Sequence, residues 1–438
     1  MKMYEEYKDS GVKWIGEVPS HWKIAPIKRF LSGMQDGTHG TYQTVDSGYP
    51  LLSAKNVFDT GLCIEDAERK ISKDDYYSII ANGYPQKGDI ALCCVGTIGR
   101  CCIYNEDVPY AFQRSVTFLR CNEAGYNRFF LYCLKSQVAN TQYRMYEKTS
   151  AQSGIYMGVL KTLIFPIPTF IEQHHIAAYL DAKTEKIDKM IAKAEKKIEY
   201  FGELKQSLIT RAVTRGLNPN APLKDSGVKW IGDIPRDWEI PRLNFVTSKI
   251  GSGSTPKGGS EVYVDEGGGF FRSQNVYNDG LRLNDVVHIV PSIHEQMKGT
   301  KVQVDDILFN ITGASIGRCC RFTKGIGEAN VNQHVCIVRP KNILPTFLMY
   351  CLQSFVGQTQ LRQLLKGGNR EGLSGESFKN FYVLLPSPNE QQQIATYLDI
   401  KCSKIDHIVA TQKKKIAYLQ ELKQSLITNV VTGKIKVS

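Results

Sequence analysis

The chain has 438 residues, 42% of them hydrophobic, 22% charged and 10% aromatic, and its 55 basic and 43 acidic side chains leave a formal net charge of +12. That composition excludes a disordered chain, collagen and a simple coiled coil, and no run of about 18 apolar residues is present that would span a membrane. The opening MKMYEEYKDSG lacks the apolar stretch of a secretion signal, so a cytoplasmic protein of about three domains, at roughly 150 residues each, is the expectation.

Taken in chain order, residues 1–170 are rich in Gly, aromatic residues and short β-branched runs punctuated by turns, the pattern of a globular domain built from short strands. Residues 171–215 contain no proline and place Leu180, Ile187, Ile191, Ala194, Ile198, Phe201, Leu204, Leu208 and Ala212 at intervals of three, four and seven. Such spacing predicts one long helix with a single packing stripe. Residues 216–388 return to the first composition. Residues 389–438 open with a second proline-free stretch, whose stripe runs through Leu398, Ile405, Val409, Ile416, Leu419, Leu422, Leu426 and Val430, and close on a short tail. Forty-odd residues at 1.5 Å each make a rod of roughly 60 Å. Two matching stripes in one chain are expected to pack as an antiparallel coiled coil, with charged outer positions such as Glu195, Lys196, Lys197 and Glu199 in solvent.

These elements come in two copies. KDSGVKWIG at 8–16 returns at 224–232, IGRCC at 98–102 returns at 316–320, and ELKQSLIT at 203–210 returns at 421–428. The shifts are 216, 218 and 218 residues against a half-length of 219, so few insertions separate the copies and the chain is a tandem duplication. The expected fold class is α+β: two similar α/β domains joined by two long helices packed as an antiparallel coiled coil, a pseudo-twofold repeat. The positive charge is spread over the four segments as +2, +2, +4 and +4, with no basic arm. It permits a polyanionic partner without demanding one, so any nucleic-acid contact must come from local loops.

Twelve cysteines include the vicinal pairs Cys93-Cys94, Cys101-Cys102 and Cys319-Cys320, but no C-x-x-C. The usual zinc frameworks are therefore missing, and reduced, structural cysteines are expected. The alternative is four thiolates closing on one ion about the glycine turn between the first two pairs.

The globular halves offer matching polar loops. GMQDGTHGTY at 33–42, with Thr38 and His39, corresponds to GSGSTPKGG at 251–259, with Thr255 and Lys257. Glycine lets backbone approach a ligand closely, and these side chains suit phosphate or base edges. Next come Lys55 and Asn56 in the first half, and Arg272, Gln274 and Asn275 in the second. Lys and Arg suit guanine, Asn and Gln adenine, through paired hydrogen bonds. A third loop carries Thr97 and Arg100, mirrored by Ser315 and Arg318, and a fourth carries Gln152, mirrored by Asn369 and Arg370. Taken singly, each is an ordinary polar turn. Recurrence of position with different side chains is what two readers of different half-sites would show.

In its repeated motifs the chain resembles the specificity subunit of type I restriction-modification systems. The resemblance rests on YKDSGVKWIGEVPSHW (7–22) and its copy LKDSGVKWIGDIPRDW (223–238), and on GDIALCCVGTIGR (88–100) with DDILFNITGASIGR (305–318). The helix openings IPTFIEQHHIAAYLD (167–181) and LPSPNEQQQIATYLD (385–399), each running on to ELKQSLIT, complete it, and together they cover essentially the whole chain. The resemblance implies two target-recognition domains, each reading one half of a bipartite, asymmetric double-stranded DNA site, with the helical rod setting the unread spacer. It also implies two modification subunits, which bind S-adenosylmethionine and methylate adenine N6, and restriction subunits that use ATP and Mg to translocate and cut. No cofactor, metal or catalytic residue is then expected on this chain. After the IGR loop the second half has Asn332-Gln333-His334, the form associated with the family, and Phe112-Gln113-Arg114 is read as its counterpart in the first.

Two rival classes fit less well. A stand-alone DNA-modifying enzyme would need a methyltransferase motif, and Asn218-Pro219-Asn220-Ala221 fails as one. No G-x-x-x-x-G-K-[ST] phosphate loop occurs, Glu68-Arg69-Lys70 is a nuclease-like triplet common by chance, and His174-His175 has Gln392-Gln393 as its counterpart. A coiled-coil scaffold without sequence-specific binding accounts for the helices but leaves the duplicated loops without a task.

Overall fold

The computed structural model describes residues 3–146, 154–366 and 372–437. The first globular half is organised on a four-stranded antiparallel sheet in the order Cys101–Ile103, Ile90–Cys93, Val116–Cys121, Leu31–Asp36. Its central strands are largely unbroken apolar runs because both faces are covered. Ile90, Leu92 and Leu119 join a core with the helix residues Phe129, Phe130 and Leu134. Ala91, Val116 and Phe118 belong to a second core with Leu52, Val57 and Phe112. Beside that second core lies a small sheet in which Ala111–Phe112 pairs parallel with Tyr49–Leu52, and Lys70–Ile71 pairs antiparallel with it.

The other half repeats the plan. Cys319–Arg321, Ile307–Asn310, Val335–Pro340 and Thr247–Ser252 form the same antiparallel order, and Ala329–Val331 pairs parallel with Gly268–Phe271. Its small sheet has four strands rather than three, the extra edge being Tyr263–Val264 against Val287–Ile289. Each main sheet is locked by one buried carboxylate. Arg120 donates twice to Asp89, and Arg339 twice to Asp306, all four bonds at 2.8 Å. Each of those Asp side chains also accepts a backbone N–H three residues upstream at 2.7 Å, so the buried charge is paired and hydrogen-bonded.

The sheet's alternation decides the cysteine question. Cys94 and Cys101 lie in the core that includes the helices, whereas Cys93 and Cys102 lie in the core of the opposite face. The four thiols are therefore divided between two faces and do not close on one point. Burial pushes Cys94 and Cys102 each up to about 12, which keeps both thiols protonated at neutral pH.

Two long helices span Phe170–Arg215 and Pro388–Val431, with 46 and 44 residues. Both begin on a capping arrangement. Thr169 Oγ1 accepts from the Glu172 N–H at 3.3 Å while Glu172 Oε2 accepts from the Thr169 N–H at 3.0 Å. The Glu390 N–H donates to Ser387 Oγ at 3.4 Å. The last tryptophan of each repeated opening motif ties the helix start to its own domain: Trp22 Nε1 donates to Glu172 at 3.3 Å, and Trp238 Nε1 to Glu390 at 2.9 Å. Among the described residues no helix is long and apolar enough to cross a membrane.

By contacts the chain divides into two compact units, Met1–Ala194 with Lys414–Ser438, and Glu195–Lys413. In the first unit the opening of the first helix lies against the end of the second: Ile176 and Leu180 share a core with Ile427, Val430 and Val431, and Lys423 donates to Asp188 at 2.7 Å. In the second unit the end of the first helix lies against the opening of the second, with Ile209, Ala212 and Val213 beside Ile394, Leu398 and Cys402, and Lys205 donating to Asp406 at 2.7 Å. Start against end in each unit is the antiparallel relation the matching stripes predict. Part of each stripe departs from expectation. Leu422 is exposed, and the neighbours Ile209 and Ile427 are buried where Leu208 and Leu426 are only half-buried. At those ends the helix also packs on its globular domain, which widens and rotates the buried face.

Candidate nucleic-acid interface

In each unit the polar loops are drawn together at one end of the small sheet by backbone hydrogen bonds. In the first, the Thr38 N–H donates to the Phe112 carbonyl at 2.7 Å and the Arg114 N–H returns to the Thr38 carbonyl at 2.9 Å. Ser115 Oγ accepts from the Ala54 N–H at 3.0 Å, and the Cys94 N–H donates to the Ser115 carbonyl at 2.9 Å. In the second, the Ser254 N–H donates to the Val331 carbonyl at 3.2 Å, the Asn332 N–H to that of Phe271 at 3.0 Å, and the Ile311 N–H to that of His334 at 3.0 Å. Glycine is required where the first loop crosses the strand: a Cβ on Gly37 would sit 2.3 Å from the Gln113 carbonyl oxygen, and one on Gly253 1.9 Å from that of Val331.

These bonds also set the register between the halves. Phe112 pairs with Leu52 as Val331 pairs with Phe271, so Gln113 corresponds to Asn332, Arg114 to Gln333 and Ser115 to His334. The alignment of Phe112-Gln113-Arg114 with Asn332-Gln333-His334 is thus one residue out of step, because a single-residue shift is invisible where the side chains differ.

The side chains then fall into two groups. Asn56 is buried, with Oδ1 accepting the Ser53 N–H at 2.9 Å and Nδ2 donating to the Cys63 carbonyl at 3.0 Å and Glu68 Oε1 at 2.6 Å. Asn275 is buried likewise, accepting from the Arg272 N–H at 2.9 Å and donating to the Arg282 carbonyl at 3.2 Å. Neither has an edge left for a base, which corrects the expectation that they read adenine. Asn332 is also buried, its Oδ1 accepting from the His334 N–H at 3.2 Å. Arg272 donates to the Asp285 carbonyl at 3.1 Å, and Arg100 donates to the Ala54 carbonyl, so both guanidiniums are partly committed to the fold. Lys55 pairs with Glu68 at 2.8 Å. Burial pushes the Glu68 carboxyl up, and the hydrogen bonds from Lys55 and Asn56 outweigh it, holding the group below the ordinary carboxylate range. The Glu68-Arg69-Lys70 triplet therefore belongs to a structural clasp.

Exposed at the surface are His39, Thr97, Arg114, Thr255, Lys257, Gln274 and Gln333. His39 lies 3.8 Å from Asp36, and Thr255 donates to Gln333. Thr38 and Gln113, joined in a parallel bridge, are half-buried behind them. In the second unit Gln274, Ser315, Arg318 and His334 line one cleft of about 390 Å³ with Tyr277 and Thr312. His334 Nδ1 is 2.6 Å from Thr312 Oγ1, and the Arg318 guanidinium lies 4.8 Å from the Tyr277 ring centre. Tyr277 is a lining residue that reading polar loops alone misses; its aromatic type beside an arginine loop was the available signal. Gln152, Asn369 and Arg370 lie outside the described residues. Such a surface, polar and modestly cationic, suits recognition of a polar edge.

The comparisons agree with this geometry. The family described as type I restriction modification DNA specificity domain matches residues 46–200 and 235–419. The chain is similar to the putative type I restriction enzyme MjaX specificity subunit of Methanocaldococcus jannaschii, at 24% identity over 98% of both chains. It is 28% identical to the type I restriction enzyme EcoBI specificity subunit of Escherichia coli, over 75% of this chain and 70% of that one. Its fold is similar to a chain solved in work on complex assembly and conformational transition of the type I R-M system, with a TM-score of 0.68 at 16% identity, covering 95% of this chain and 99% of that one.

Proposed function

Because the chain belongs to the type I restriction-modification DNA specificity family, we propose that its two recognition domains each read one half of a bipartite, asymmetric DNA site. The chain is the specificity subunit of such a system, a role that joins it to DNA and to the system's other subunits. The two long helices set the length of unread DNA between the halves. Half-sites one turn apart lie near 34 Å centre to centre, within the span of helices of 46 and 44 residues. Two modification subunits dock on the helices and carry S-adenosylmethionine to adenine N6, and restriction subunits, where the system cuts, bring ATP and Mg. This chain supplies recognition rather than catalysis, binds no cofactor of its own and works in the cytoplasm.

The observation that carries the reading is the repeated loop cluster. Three of its backbone bonds recur in both units, from Thr38 and Ser254, Gln113 and Asn332, and Cys94 and Ile311, while its exposed side chains differ: Lys55 against Gln274, His39 against Thr255 and Arg114 against Gln333. A scaffold would have no use for that divergence. Co-expression with the cognate modification subunit, followed by genome-wide mapping of methylated adenines, tests it. A discontinuous motif with two read halves is expected; an unbroken motif, or methylation without sequence preference, contradicts it.

A further inference from the structure

We propose that Arg318 reads a guanine in the half-site taken by the second domain, and that Asn310 and Tyr277 are positioning residues that make it available. This rests on the specificity reading above and adds a side chain and a base class for one position.

Both domains carry this arginine and treat it differently. In the first, Arg100 donates through Nη2 to the Ala54 carbonyl and lies 5.0 Å from the Phe58 ring centre. The equivalent carbonyl in the second domain belongs to Ser273, and it is already taken. Asn310 stands where the first domain has Cys93, and its Nδ2 donates to the Ser273 carbonyl at 2.8 Å and to Ser315 Oγ at 3.0 Å. A thiol is a weak donor, and Cys93 approaches the Ala54 carbonyl only to 3.7 Å, which leaves room there for an arginine. Arg318, displaced by the amide, has no side-chain hydrogen bond or ion pair among the described residues and rests on the Tyr277 ring.

That ring also carries Arg282, at 4.4 Å, but Arg282 is neutralised by two bonds to Asp279 at 2.8 Å. Of the two guanidiniums on Tyr277, only that of Arg318 is without a carboxylate partner among the described residues. A guanidinium held against an aromatic ring keeps its N–H donors in one fixed plane. Two donors in a plane match the O6 and N7 acceptors of guanine, a pair no other base presents in the major groove.

The test is methylation mapping of the complex with the cognate modification subunit, for the wild type, Arg318→Ala, Asn310→Cys and Tyr277→Phe. Arg318→Ala should relax one G·C position of one half-site, by roughly 5- to 100-fold in preference, and leave the other half intact. Asn310→Cys restores the first domain's arrangement and should relax that same position more weakly, whereas Tyr277→Phe keeps the ring and the specificity. In a binding duplex, 7-deazaguanine at that position should weaken the wild-type complex and leave Arg318→Ala unaffected. Uniform loss with no relaxed position would mean a phosphate or folding role and would overturn the proposal, as would relaxation of an A·T position or a silent Asn310→Cys. If Arg318→Ala does not fold, Asn310→Cys decides. A wild-type complex lacking a discontinuous motif would instead remove the specificity reading itself, and that is seen before any variant is compared.

Discussion

In the first domain Asn56 donates to Glu68, and Lys55 closes that carboxylate from the solvent side; in the second, Asn275 keeps its two backbone bonds, and Gln274 stands exposed where Lys55 was paired. The same contrast recurs one loop later, where Arg100 is bound to Ala54 and Arg318 is not bound to Ser273. Matching backbones thus engage their polar side chains differently. Which residue occupies a loop position says less about its role than which partners have already claimed it.

Four experiments break or sharpen this comparison. The largest effect is expected where the domains are alike: Asp89→Ala and Asp306→Ala each leave a partly buried arginine unpaired and should cost their own unit about 3 kcal/mol, the low end for a buried ion pair. Hydrogen exchange resolves the two units, and a loss in one only would show that the shared scaffold is not energetically shared. Asn56→Ala and Asn275→Ala should each cost roughly 1–3 kcal/mol in denaturant unfolding while leaving the methylated motif unchanged. A relaxed base position in either variant would restore a reading role to that asparagine.

Acid separates the domains. Counting back from Ile71 and Ile289, which hold matching places in the small sheets, Glu68 corresponds to Val286. Because its folded pKa lies below the ordinary value, the Glu68 contribution is complete above an unfolded pKa of roughly 4.3 and is lost as pH falls through the lower folded value. Unfolding followed between about pH 5 and 3 should show a loss in the first unit that Glu68→Gln reduces, the remainder coming from carboxyls such as Glu172 that are likewise held below the ordinary range. An equal loss in that variant would place the acid sensitivity elsewhere. Smallest is Lys257→Ala, which should leave stability within about 0.5 kcal/mol and lower the slope of log affinity against log salt by about one.

Much of the architecture is legible in the chain itself, because helical spacing and a repeat of whole motifs are patterns carried along the backbone. The repeated openings at 167–181 and 385–399 mark the helix starts for the same reason. The partners of short polar loops are not carried that way. Asn56 looks like an adenine reader until Glu68, twelve residues on, is seen to hold its amide. One clue lay in plain view: Asn56 and Asn275 are the same residue in both halves, while the exposed positions around them differ. The one-residue register at 112–114 needed the parallel strand pairing, and the exposure of Leu422 needed the helix's outer face to be known.

Arg114 and Gln333 occupy matching exposed positions in the two domains, and mapping methylated adenines for Arg114→Ala and Gln333→Ala tests the central claim most directly. Each substitution should alter one half of the same bipartite motif, a different half for each, with the spacer unchanged. Changes falling in the same half, or in both halves at once, would contradict the assignment of one domain to each half-site.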